Sequence, residues 1–153
     1  MKVKDLCLIG IDYGEKKLGL AFKERKLMRP APIGCFKNQG DLLGKIVRLA
    51  KEKKADRIVI GLPLKMDGQK TSMTLKVETF VHKLRQTLPE KIGIELTNEI
   101  FTTQEAVERL RGLGKNESFI EKNIDSYSAV LILERFIEKN QPKEDHKLLN
   151  EEQ

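Results

Sequence analysis

Three acidic residues stand where carboxylates are costly to keep. Asp12 closes the apolar run Leu6–Ile11 and is bracketed by Gly10 and Gly14. Glu99 follows a second apolar stretch, in IELTNEIFTT, and Asp125 opens a third, in NIDSYSAVLILERF. Each has an ordinary use: Asp12 as a cap on the turn at Gly14, Glu99 as an exposed loop residue, Asp125 as the N-cap of a closing helix. Together they suggest something else. In an open α/β sheet the strand ends on one side form a crevice, and a helix packed across the sheet brings Asp125 to the edge where Asp12 and Glu99 end. Three carboxylates in a partly dry site repel. Mg2+ or Mn2+, hard cations that take oxygen ligands, relieve that repulsion. Two such ions about 3.5–4 Å apart activate water for phosphodiester cleavage.

The elements that must position these acids follow from the apolar pattern. Leu6–Ile11 reads as a buried strand. Lys17–Phe22 pairs with it after a glycine turn, and Ile33–Phe36 is a weaker third strand behind the break Arg29–Pro32. Asp41–Lys54 has helical spacing with a basic outer face. Arg57–Leu62 is a central strand, and Met73, Val77, Phe80, Val81, Leu84 and Leu88 mark a second helix. Ile92–Leu96 is a fifth strand, and Thr102 and Glu105 have the spacing of a capping box. The stretch Gly112–Asn123 is glycine-bearing and polar, so a mobile loop is expected there. Ala129–Ile137 is expected to be a buried closing helix, in the core or at a dimer contact. The order predicts one α/β domain over residues 1–140 with a mixed sheet, and a disordered tail over 141–153.

Composition sets the partner class. Of 153 residues, 39% are hydrophobic and 34% charged, and the net charge is +6. The tail carries −2, which leaves +8 on residues 1–140. Basic residues cluster at Lys16, Lys17, Lys23, Arg25, Lys26 and Arg29, and again from Lys45 to Arg57. A solvated lysine surface or a polyanionic partner follows. Cys7 and Cys35 are expected to be buried free thiols of a cytoplasmic protein. The pattern contains no membrane span and no secretory signal. Tyr13 and Tyr127, beside two of the acids, are candidates for touching a nucleotide, whereas Phe80 and Phe136 fit helical core faces.

GIDYGEKKLGLAF (10–22), VIGLPLKMDG (59–68), NEIFTTQEA (98–106) and IDSYSAVLILERF (124–136) resemble, in order and spacing, the four signature blocks of the YqgF/RuvX family. That family belongs to the ribonuclease H-like superfamily, and the resemblance covers about residues 5–140. It implies a five-stranded sheet in the order 3-2-1-4-5. It also implies a metal-dependent nuclease that matures the 5′ end of pre-16S ribosomal RNA or resolves Holliday junctions, as a monomer or homodimer. On this likeness Asp12, Glu99 and Asp125 take the metal-binding positions. Asp12 would bridge two ions, and Lys16 and Lys17 would lie near the scissile phosphate. Lys65 and Asp67 would contact substrate, although their loop also reads as a plain turn. Two departures stand out: Asn98-Glu99-Ile100 replaces the usual Asp-Glu-Arg, and Glu15 replaces a frequent threonine. Asn98 keeps an oxygen donor, whereas Ile100 loses a planar cation suited to phosphate. An actin-type kinase would need a second domain, and a Rossmann site would need a different glycine spacing. A non-catalytic nucleic-acid-binding module remains as the rival of another class.

Overall fold

The structure is a computed structural model and describes residues 2–99 and 102–141. Five strands form one sheet: β1 (Leu8–Asp12), β2 (Lys17–Lys23), β3 (Ala31–Lys37), β4 (Arg57–Pro63) and β5 (Gly93–Glu99). Four α-helices complete it: α1 (Leu42–Glu52), α2 (Ser72–Thr87), α3 (Thr102–Gly112) and α4 (Glu117–Lys139). The sheet order is β3-β2-β1-β4-β5, as the resemblance implied. β1 runs antiparallel to β2 and parallel to β4, and β4 runs parallel to β5. The last residues of β1, β4 and β5 therefore face one crevice.

Alternation along the strands divides the core into two layers. Ile9, Ile11, Leu18, Leu20, Ile58 and Ile60 face α1 and α2. Leu8, Ala21 and Val59 face α4, through Ala129, Ile132, Leu133 and Phe136. Burial on both faces explains why β1 and β4 read as continuous apolar runs. It also places the closing helix in the core.

Several elements differ from expectation. β1 starts at Leu8, because Val3–Asp5 forms a 3-10 turn and Leu6 and Cys7 lead out of it, and the strand runs through Asp12. β3 begins at Ala31 and includes Pro32, which an edge strand tolerates where the missing N–H would face solvent. β5 extends through Glu99, so Glu99 is a strand residue and not a loop residue. The largest correction is Gly112–Asn123, which is not a loop. Gly114, at φ +80°, lies in the short connection after α3, and α4 is already under way at Glu117. The Asn116 side chain accepts from Phe119 N at 2.8 Å, Glu117 complements the helix dipole, and Ile120 is buried. Asp125 consequently lies in the third turn of α4 and is not its N-cap. The side chain of Thr102 and the expected tail from Pro142 lie outside the described residues.

Lys23, counted among surface cations in the sequence, is fully buried. Its ammonium donates to the carbonyls of Lys4, Leu6 and Glu24 at 3.1, 2.8 and 3.0 Å, which satisfies all three protons. Burial pushes its pKa down. Lys23 pairs with Leu8, at the end of the sheet away from Asp12, so the first basic cluster is split between the two ends of β2.

Candidate active site

Asp12 is the last residue of β1 and lies opposite Gly19 of β2. Glu99 is the last residue of β5, where it pairs with Pro63 of β4. Its side chain reaches across β4 because Gly61 leaves the space: a Cβ at Gly61 would lie 2.6 Å from Glu99 Oε2 and 2.6 Å from Ile132 Cδ1. Two further glycines let α4 settle onto the sheet. A Cβ at Gly10 would lie 2.6 Å from Leu133 Cγ, and one at Gly19 would lie 1.9 Å from the carbonyl oxygen of Asp125. Ser126 fixes the helix at this height. Its hydroxyl donates to Leu20 O at 2.8 Å and accepts from Gly34 N at 3.1 Å, bridging β2 and β3 at the bulge between Leu20 and Ala21. Ser126→Ala would leave that carbonyl and amide without this partner. It is expected to destabilise the protein by about 1–3 kcal/mol, measured by denaturant unfolding.

The sheet edge and α4 thus bring the three predicted acids together. The carboxyl of Asp12 is hydrogen-bonded to Glu99 and feels the charge of Asp125. Its pKa is raised well above the ordinary carboxylate range, first by burial and then by Glu99 and Asp125. Asp125 is steadied by Lys17, whose Nζ stands 3.2 Å from Oδ2. This contact raises the Lys17 pKa. The donor set is all oxygen, and its acids crowd one another. That chemistry fits a hard divalent cation. Among the described residues, no three carboxylate, thiol or imidazole groups already enclose a cation position.

The other predicted residues are placed less centrally. Lys16 is exposed on the turn after β1 and makes no ion pair among the described residues. That turn is pinned by Asn38, whose side chain donates to Gly14 O at 2.8 Å and whose N–H donates to Lys16 O at 2.8 Å. Lys65 and Asp67 sit on the exposed hairpin beyond β4. Asp67 Oδ1 accepts from Gln69 N at 3.0 Å, with Gly68 at φ +83°, which is a turn-forming role. Glu15 adds no charge to the acids, because it pairs with Lys76 of α2. Asn98 is exposed, and strand alternation directs it to the face opposite Glu99, so it does not stand in for a missing acid. Ile100 lies outside the described residues. Cys35 is exposed and not buried as expected. It pairs with Gly19 beside the acids, and partial burial together with the charges of Asp125 and Asp12 pushes its thiol pKa up. Tyr13 packs on Phe80, and Tyr127 lines a cleft between β3 and α3. The sequence pattern alone does not mark Gly19 and Ser126 as site residues. A glycine inside the apolar run KLGLAF is a signal of close backbone approach, but its partner lies more than a hundred residues away.

A mixed five-stranded sheet in this order, covered by helices on both faces, is a ribonuclease H-like fold. Two solved resolvase structures share it. The fowlpox virus resolvase bound to Holliday junction DNA superposes with a TM-score of 0.55 at 10% identity, over 88% of this chain and 98% of that one. Thermus thermophilus RuvC with its junction substrate gives 0.51 at 12% identity, over 83% and 91%. At such identities the likeness is one of fold. The sequence is more specific: residues 6–139 match the family model described as RuvX, Holliday junction resolvase, and the chain belongs to the RuvX family. A Chlorobium luteolum protein named "Putative pre-16S rRNA nuclease" is 33% identical over 135 residues, covering 87% of this chain and 94% of that protein. A Pasteurella multocida protein of the same name is 32% identical over 143 residues, covering 90% and 99%. No helix among the described residues is long and apolar enough to cross a membrane.

Proposed function

We propose that this protein is a divalent-metal-dependent nuclease that hydrolyses phosphodiester bonds, with the 5′ end of pre-16S ribosomal RNA as its substrate. The observation that carries the reading is the convergence of Asp12, Glu99 and Asp125, with Asp12 burdened by the other two. The names of the curated relatives support the substrate. Asp12, Glu99 and Asp125 would hold Mg2+ or Mn2+. When bound, the metal supplies an activated water and neutralises charge at the leaving oxygen. Both Asp12 and Glu99 must be ionised to serve as ligands, and the raised Asp12 pKa opposes that until a cation is bound. The Lys17–Asp125 pair is partly exposed, at 45% and 29%, and such pairs contribute less than about 1 kcal/mol. The Lys17 ammonium is therefore free to turn from Asp125 to a phosphate oxygen, with Lys16 beside it.

The description of the family model favours a second reading, resolution of branched DNA. The test is cleavage of a labelled pre-16S 5′ leader and of a four-way DNA junction, with Mg2+ or Mn2+, by wild type and Asp12→Ala. Metal-dependent cutting of the leader by wild type alone is expected. Cutting of the junction alone would move the protein to the second reading. Binding of both substrates by both proteins without any cutting would leave a non-catalytic binding module.

A further inference from the structure

Tyr13 follows Asp12 directly, and strand alternation turns it to the other face of the sheet. There it lines a groove of about 490 Å3 between the start of α1 and the upper half of α2. The volume is that of a small-ligand site. The floor is aromatic and aliphatic, with Tyr13 packed against Phe80 at 4.8 Å between ring centroids, the rings tilted by 39°, and Leu42 and Leu43 alongside. One wall is Leu75, 58% exposed, a large apolar side chain that the core does not use. The rim is basic. Lys76 is paired with Glu15, but Lys83 makes no ion pair among the described residues. The one acid on the rim, Asp41, is committed to capping Gly44 N at 3.1 Å and to Arg48 at 3.7 Å. An apolar slot with a free ammonium at its mouth is complementary to a base with its phosphate.

We propose that this groove is a subsite for one unpaired nucleotide of the substrate strand flanking the acids, its base against Tyr13 and Leu75 and its phosphate at Lys83. The inference rests on the nuclease reading and names a feature of its substrate, a single-stranded segment beside the scissile bond. The test is binding and cross-linking of a 12-nucleotide single-stranded RNA carrying one 4-thiouridine, with Ca2+ present. Cross-links are expected at Tyr13 or on the α2 peptide. Leu75→Ser and Lys83→Glu, both exposed changes that leave the fold intact, are each expected to raise Kd about five- to tenfold. Lys91→Glu makes the same charge change at the far end of the sheet and is expected to stay within about twofold. Cross-links elsewhere, or Leu75→Ser and Lys83→Glu both binding like wild type, would overturn the subsite even if the leader is still cleaved. RNA bound in the groove by a protein that never cleaves would overturn the nuclease reading alone.

Discussion

Asp12→Asn protein is expected to lose cleavage by about a hundred- to a thousandfold and yet to melt at a higher temperature than wild type when divalent ions are chelated at neutral pH. Both effects arise from the same crowding. The folded-state pKa of Asp12 is raised above its unfolded value of about 3.8 by burial, Glu99 and Asp125. The folded protein therefore binds that proton more tightly than the unfolded chain does. Its contribution to stability is fully present below the unfolded pKa and is lost as pH rises through the raised folded pKa. At neutral pH, above the unfolded pKa, wild type without metal must either hold that proton or bear the repulsion, and asparagine, of nearly the same shape, avoids both. A gain of about 1 kcal/mol corresponds to about 2–4 °C in a protein of this size. The advantage of the variant should shrink as pH falls toward 4. A divalent ion at a hundred times its Kd stabilises the folded state by about 2.7 kcal/mol, and that gain should be present in wild type and largely lost in the variant. Thermal melts at pH 5 and 7.5, in chelator and in Mg2+, test all of this. A variant that melts lower than wild type in chelator at pH 7.5 would make Asp12 a structural turn residue.

What the sequence revealed about this site follows the range of the interactions involved. Asp12 was legible because a carboxylate at the end of an apolar run is locally costly, whatever the rest of the chain does. Asp125 was legible as an acid but not in its setting. The glycines and polar residues of Gly112–Asn123 suggest a loop, whereas the buried Ile120 and the cap at Asn116 make most of it helix. The strand order required the family resemblance, because periodicity does not say which strands are neighbours. Lys23 looks like a surface cation in the sequence, since nothing local shows that the N-terminal 3-10 turn folds back to offer it carbonyls. Gly19 illustrates the limit most clearly: its requirement comes from a helix turn 106 residues away.

That requirement gives the second large effect. A Cβ at Gly19 would meet backbone and not a flexible side chain, at 1.9 Å from Asp125 O and 2.8 Å from Ser126 N. Gly19→Ala therefore has no local relaxation available, and α4 must lift from the sheet. Lifting strains the Ser126 bonds to Leu20 and Gly34 and the contact of Leu133 over Gly10. Overpacking of this kind costs about 1–3 kcal/mol, and the upper end is expected because every atom approached is main chain. The melting temperature should fall by about 6–12 °C. Asp125 moves with the helix, and a displacement of about 1 Å at a reacting centre costs about a hundredfold in rate. Turnover should fall well below the melting temperature of the variant, where unfolding does not contribute. Gly93→Ala is the control, since its Cβ would lie 3.4 Å from the flexible Arg57 side chain, and both stability and turnover should be nearly unchanged. If Gly19→Ala melts like Gly93→Ala, α4 does not approach the sheet this closely. If it melts low but turns over normally, Asp125 is not needed for cleavage. If both fall, the height of one helix above one strand sets stability and catalysis together.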